Sequence, residues 1–361
     1  MCLNPLWRCA VPSYVVHSMY LSKDILKKYK NGGFVFSPKD FVTFEFLNQF
    51  FPKYAPDTKE IICGQCIECR IKKAQEDTQR CMAEAQTSEH DCYFLTLTYD
   101  DEHLPKPILS FPYHDVPGEV HDKPVFCSPL QKKDFQDWIK RFRMQLERKQ
   151  GFKGVRYFYC GEYGSQTNRP HYHVLLFNVD LPDLEVAFTR SLTSGKDIKY
   201  FQSDIVSKSW GQGFVSISPL TWENIAYTCR YVMKKKTGKH SEEYLKKCFN
   251  AQVQPVPYEF TNRSTKPALG RAYYEEHKDF IHMFDEVLMP NGKQLKPAKY
   301  YDKLYDLEDP EAMAAIKAQR ERKIAEAKFS RNKNGSISEE ESRRKRARAL
   351  TKATKKLIRP L

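Results

Sequence analysis

The sequence predicts an α+β fold, a split βαβ or ferredoxin-like arrangement in which a four-stranded antiparallel sheet carries helices on one face. Three observations predict it. Four short segments, YFLTLTY from 93, VRYFYCGE from 155, HYHVLLF from 171 and GFVSISPL from 213, are rich in β-branched and aromatic residues and bounded by turn residues. Between the first two, Phe135, Trp138, Ile139, Phe142 and Leu146 recur at helical spacing. The resulting order, strand, helix, strand, strand, helix, strand and a further helix, is that of the split βαβ unit.

Residues 1–89 mix short aromatic segments such as FVFSPKDFVTFEFLNQFF with a cysteine cluster, CGQCIECR, that leads into a polar helical run, IKKAQEDTQRCMAEAQ. The core domain spans 90–240. Its first strand is YFLTLTY. After a loop rich in Pro and His comes SPLQKKDFQDWIKRFRMQLERK, where Ser128 suits an N-cap and Pro129 a first helical position. VRYFYCGE and HYHVLLF, joined by YGSQTNRP, read as an antiparallel pair. A polar, helical stretch follows, then the strand GFVSISPL, then a second long helix, TWENIAYTCRYVMKKK. Residues 241–306 form a C-terminal subregion with a loop and a short helix. Residues 307–361 read as a charged helix, a break at KNGSISEEE and a basic run, RRKRARALTKATKK.

At 361 residues with 41% hydrophobic and 13% aromatic side chains, the chain can bury a substantial core. Net charge is +14, and residues 311–361 hold 16 Lys and Arg against 6 Asp and Glu. That asymmetry points to a polyanion, with nucleic acid the commonest. Arg343, Arg344, Lys345, Arg346 and Arg348 are the candidate contacts, and a solvated appendage is the alternative. No run of about 18 apolar residues and no signal-like N-terminus occurs, so no membrane association is expected and the protein reads as soluble and unsecreted. Eleven cysteines, an odd number at uneven spacing, read as thiols in a reducing compartment. Cys63, Cys66 and Cys69 follow a C-x2-C-x2-C pattern, with Cys81 the nearest fourth ligand for a structural zinc; three thiols near a helix start without metal is the competing reading.

Residues two apart on a strand share a face, so His171 and His173 point the same way, at a spacing that lets two imidazoles share a cation. Glu162 ends the preceding strand and comes close if the hairpin pairs. Two His and a carboxylate leave open positions on a metal, as catalysis there requires. On the later helix Tyr227 and Tyr231 are four apart and stack on one face, which Lys234 and Lys235 extend, while Ile225, Ala226, Cys229, Val232 and Met233 form a separate anchoring stripe. Tyrosine, with a pKa of about 10, is a weak nucleophile that needs a nearby cation and a polarised substrate. A divalent metal on His171, His173 and Glu162 meets both needs for a phosphodiester, with a lysine stabilising the charge that develops.

The ordered set FLTLTYDDEHLP, GEYG, RPHYHVLLF and YxxxYVxKK resembles the replication initiators of microviruses, most closely the gokushovirus type, within the HUH endonuclease superfamily. The resemblance runs from about Cys63 to Arg271 and includes CGQCxECR, KRFR and WGQGFVSI; the loop near Arg263 departs from the commoner form with paired arginines before Pro-Gly. It implies rolling-circle initiation in the cytoplasm of an infected bacterium. One strand of the replicative form is nicked with Mg or Mn, a 5'-phosphotyrosine intermediate forms, the free 3'-hydroxyl primes synthesis, and the strand is later rejoined, with host helicase and polymerase as partners. Tyr227 and Tyr231 map onto the nucleophiles, and His171 and His173 onto the metal ligands, with Glu162 the third. Two other readings of the residues stand beside it: a non-catalytic single-stranded nucleic-acid-binding module, and a zinc hydrolase that uses the His pair without a covalent tyrosine.

Overall fold

A computed structural model describes residues 6–8, 59–61, 64, 66–113, 123–191, 197–231, 239–290, 292–333 and 339–357. In chain order the strands are β1 (Leu6–Arg8), β2 (Lys59–Ile61), β3 (Tyr93–Tyr99), β4 (Ile108–Ser110), β5 (Val125–Cys127), β6 (Arg156–Tyr163), β7 (Pro170–Phe177), β8 (Glu185–Ser191), β9 (Asp197–Gln202), β10 (Gly213–Pro219), β11 (Phe260–Arg263), β12 (Val287–Leu288) and β13 (Gln294–Leu295). The helices are α1 (Ile67–Gln86), α2 (Lys132–Gln150), α3 (Asp204–Trp210), α4 (Trp222–Arg230), α5 (Lys239–Asn250), α6 (Arg271–Phe284), α7 (Lys299–Glu308), α8 (Pro310–Lys333) and α9 (Glu339–Leu357). The chain divides into two compact units, one within 1–72 and 337–357, the other within 73–336.

In the first unit β1 pairs antiparallel with β2, and Arg346 of α9 pairs with the buried Glu68 carboxylate at 2.8 Å. The second unit is built on a seven-stranded sheet in the order β11-β6-β7-β3-β10-β9-β8, with every pairing antiparallel. Its centre, β6-β7-β3-β10, is the split βαβ order expected from the sequence: β3, α2 and β6 make the crossover, and β7 slots between the two strands. The sheet is wider than the expected four strands. The stretch expected to be polar helix, 178–210, instead forms the β8–β9 hairpin and only then the short α3.

Helices lie on both faces rather than on one. α2 and α3 bury Phe135, Trp138, Ile139, Phe142, Leu146, Val206 and Trp210 against Leu95, Leu97, Tyr172, Val174, Leu176 and Ile217. On the other face Ile225 and Cys229 of α4 join Phe158, Leu175, Phe177, Cys81 of α1 and Tyr274 of α6 in a second core. The physical reason lies in β7, where Val174–Phe177 are all buried. Four consecutive apolar residues need cover on both sides of a sheet, whereas strict alternation would need it on one. At the start of the same strand the pattern does alternate, with His171 and His173 only partly buried, and there the second face opens to become a site.

The start of α2 departs from expectation. The helix begins at Lys132, and its N-cap Gln131 makes no side-chain cap bond. Two buried tyrosines replace the expected Ser128 cap: the Tyr163 hydroxyl accepts from the Leu130 N–H at 3.0 Å, and that of Tyr172 from the Gln131 N–H at 3.3 Å. In the KRFR segment, Arg141 donates to the Ser209 carbonyl at 3.1 Å at the end of α3, and Arg143 Nε donates to Val155 O at 3.1 Å. Gly213 opens β10 with φ 136, and a Cβ there would collide with Asp100 N and Thr98 O, so only glycine fits in WGQGF. The loop near Arg263 proves structural. β11 pairs with β6, Arg263 holds the buried Asp77 at 2.5 Å, and Ser264 Oγ accepts from Tyr157 N–H at 3.1 Å.

Candidate active site

Pairing of β6 with β7 sets Glu162 directly opposite His171 and Cys160 opposite His173, while β3 places Thr98 and Thr96 across from the same two histidines. Residues that face each other across a ladder share a face, so the carboxylate, both imidazoles and both threonines project to one side. Nε2 of His171 lies 2.7 Å from Glu162 Oε1, and Nε2 of His173 lies 3.1 Å from the same oxygen. The three candidate ligand atoms fall within 4.8 Å of one another, the one such group of three or more among the described residues.

The far nitrogens fix the rings. His171 Nδ1 donates to the Arg169 carbonyl at 3.2 Å, and His173 Nδ1 meets Thr96 Oγ1 at 3.1 Å. A carbonyl only accepts, so the proton of a neutral His171 sits on Nδ1 and its Nε2 lone pair faces a carboxylate oxygen. That juxtaposition is repulsive unless positive charge, a second proton or a metal cation, lies between them. Two imidazole nitrogens and a carboxylate suit a divalent cation, with the outer hydrogen bonds holding the ligands in place. Burial tends to raise the Glu162 carboxyl, but the hydrogen bonds from His171 and His173 outweigh it and hold the group down at about 2. It is therefore an ionised ligand at any working pH.

α4 brings in the tyrosines. Its start is fixed by a capping box, in which Thr221 accepts from Asn224 N–H and Asn224 returns a bond to Thr221 N–H. Ile225 and Cys229 anchor the helix, and the Tyr227 and Tyr231 rings reach the opposite way. Tyr231 stacks on His173 with centroids 5.7 Å apart, Tyr227 meets the same ring edge-on at 5.8 Å, and the Tyr231 hydroxyl donates to that of Tyr227. Phe94 stacks on His173 at 5.4 Å. Burial, then the charge of Glu162, pushes both phenols well above the ordinary tyrosine range, so they are held protonated beside an anionic carboxylate.

A family model for the replication-associated protein ORF2 matches residues 92–236, the stretch from β3 to just past α4 that carries all five of these side chains. Replication-associated protein ORF2 of Spiroplasma virus 4 is 31% identical over 304 residues, covering 83% of this chain and 85% of that protein. The chain belongs to this replication-associated protein family. Two further relatives agree: replication-associated protein VP4 of Bdellovibrio phage phiMH2K, 30% identical over 69% of this chain and 68% of its own length, and replication-associated protein ORF4 of Chlamydia phage 1, 30% identical over 48% and 38%. No solved structure matches the chain. The microvirus resemblance read from the motifs is borne out at the level of the family.

Of the residues singled out in this family member, Glu162, His171, His173, Tyr227 and Tyr231 come together. Lys234 and Lys235, with Val232 and Met233 of the expected stripe, lie outside the described residues; the described part of the expected long helix is the nine residues of α4 plus the turn at Tyr231. Cys63 also lies outside them. Cys66 and Cys69 are buried at the start of α1, but Cys81 is not placed to complete their set: it falls twelve positions along the helix from Cys69, about 18 Å by helical rise, and its Sγ lies 4.0 Å from that of Cys229. Arg344, Lys345, Arg346 and Arg348 are exposed on α9, where Arg343 also falls. Thr96, the Arg169 carbonyl and Phe94 escaped the sequence reading. Threonines alternating with leucines in FLTLTY were the available signal, since a polar residue every second position marks the face opposite the core.

Proposed function

We propose that this protein is a metal-dependent tyrosine endonuclease and strand transferase that opens and rejoins one strand of a viral replicative-form DNA. The observation that carries the reading is the convergence of Glu162, His171 and His173 with two phenols stacked on the His173 ring. Family membership supplies the setting, since relatives carry the name replication-associated protein.

Nε2 of His171, Nε2 of His173 and the Glu162 carboxylate would hold a divalent cation, whose charge polarises phosphodiester oxygens and offsets the Glu162 charge that keeps the phenols protonated. Mg and Mn, which favour oxygen ligands at open positions, are the expected ions. One tyrosine oxygen attacks phosphorus and gives up its proton. The bond from phosphorus to the 3'-oxygen breaks, and that oxygen leaves as a hydroxyl once it gains a proton. The phosphotyrosine retains the 5' end and the energy of the bond. The second phenol, one helical turn away, is placed to attack a regenerated origin. The 3'-hydroxyl freed in that second cut then attacks the first phosphotyrosine, which closes the strand and restores the tyrosine.

Incubation of the full chain with supercoiled replicative-form DNA and Mg or Mn tests the proposal. Relaxed circles carrying covalently bound protein are expected. Relaxation without a protein adduct would favour a hydrolase, and tight binding without relaxation a non-catalytic module.

A further inference from the structure

The sheet continues past β10 into the β8–β9 hairpin, which the proposed chemistry does not use. β8 is exposed along its whole length, and Phe188, 53% exposed, stacks on Tyr200 with centroids 4.6 Å apart and planes 12° from parallel. The register shows which face this pair occupies. Phe201 lies opposite Ile217, Ile217 opposite Leu95 and Leu95 opposite Val174, and all four belong to the core beneath α2. Side chains alternate along a strand. Tyr200, and Phe188 across from it, therefore point to the other face, that of His171 and His173.

A second exposed ring lies on that face. Phe214 sits across from Thr98, which sits across from His171, and its side chain is 70% exposed. Cross-strand packing within the hairpin could account for Phe188 and Tyr200 alone. It cannot account for Phe214, which is on a different part of the sheet and buries little of itself. Exposed rings thus run outward from the triad: Phe214 two strands from His171, and the stacked pair beginning three strands from His173, about 14 Å at 4.8 Å per strand. Arg190, two residues beyond Phe188 and across from Ile198, adds exposed positive charge to the same face.

We propose that this face is a stacking platform for single-stranded DNA, on which Phe214 and the Phe188–Tyr200 pair receive bases flanking the scissile phosphate and Arg190 meets the backbone. The assignment rests on the endonuclease reading for where the strand is cut. Stacking tolerates any base, so the platform grips the strand while leaving sequence choice to other contacts.

Fluorescence anisotropy of the full chain with a labelled oligothymidylate tests it. Phe188→Ala and Phe214→Ala should each weaken binding about tenfold, the loss typical of one stacked base. Phe188→Trp should keep the wild-type affinity and Phe188→Leu should not. Unchanged affinity in both alanine variants, or full rescue by leucine, overturns the platform. Ultraviolet cross-linking of a 5-iodouracil oligonucleotide to the wild-type chain removes any dependence on how the variants fold: adducts should map to Phe188, Tyr200 or Phe214, and adducts confined to other residues overturn the proposal. The two readings fail separately. A wild-type chain that never forms a DNA adduct, yet loses oligonucleotide binding on Phe188→Ala, contradicts the endonuclease and keeps the platform. A chain that forms the adduct while Phe188→Ala and Phe214→Ala bind normally does the reverse.

Discussion

At the scale of single residues the site is governed by one oxygen, Glu162 Oε1, which two imidazoles address at once. Because Glu162 is held down at about 2, it stays ionised throughout the usual pH range, and protons compete for the site only at the histidines. Metal affinity should therefore rise with pH between about 5.5 and 7.5, because neutral rings ligate and protonated ones repel. Calorimetric titration with Mn at the two pH values checks this, and equal affinity would remove the histidines from the ligand set. Thr96 tests the outer layer. Thr96→Val keeps the shape of the side chain but deletes the 3.1 Å hydrogen bond to His173 Nδ1, and metal should bind about 10- to 100-fold more weakly in the same titration. The triad was legible in the sequence because its geometry is local: a two-residue spacing on a strand and a short turn suffice to place all three groups. Thr96 lies 77 positions from His173, so only the strand register reveals its role.

At the scale of elements, what could be read was set by where each element finds its partners. β3, α2, β6, β7 and β10 announce themselves by internal periodicity, and their order predicted the centre of the sheet. The β8–β9 hairpin did not, since its exposed strands mix polar and apolar residues without a core to enforce alternation. The start of α2 misled for another reason: Ser128-Pro129 is a plausible local cap, but Tyr163 and Tyr172, more than thirty residues away, take the backbone groups instead. That substitution has a measurable cost. Tyr163→Phe removes the hydroxyl that accepts from Leu130 N–H and donates to the Pro257 carbonyl at 2.9 Å, leaving two buried groups unpaired. A loss of about 1–3 kcal/mol is expected from the urea midpoint. A change under a few tenths would mean that α2 starts without help from the sheet.

At the scale of the whole molecule, charge and chemistry are separately placed along the chain. The family match covers the triad and the tyrosines, while α9 carries a cluster of exposed basic residues. The charged tail is not a single appendage. α8 is fastened by Arg320, which pairs with Asp302 at 2.7 Å and also with Asp285, and by the buried Met313, so a deletion meant to test electrostatics should begin after residue 336 rather than at 311. Removal of 337–361 takes away nine Lys and Arg and three Glu. DNA binding should weaken, and the logarithmic salt slope should shrink by about 0.9 for each duplex phosphate that is no longer neutralised. An unchanged slope would assign α9 to another partner.

The central claim, that Tyr227 and Tyr231 are alternating nucleophiles beside a metal held by Glu162, His171 and His173, is tested most directly by covalent capture of DNA. Wild type, each single Tyr→Phe variant and the double Tyr227→Phe/Tyr231→Phe variant would be incubated with a labelled single-stranded origin oligonucleotide and Mn, then resolved under denaturing conditions. Phenylalanine keeps the stacking on His173 and removes only the hydroxyl, so the fold and DNA binding should persist in all three variants. Wild type and both single variants should carry label, and the double variant none. A double variant that still becomes covalently labelled would contradict the account, because the nucleophile would then lie outside α4 and the turn that ends it.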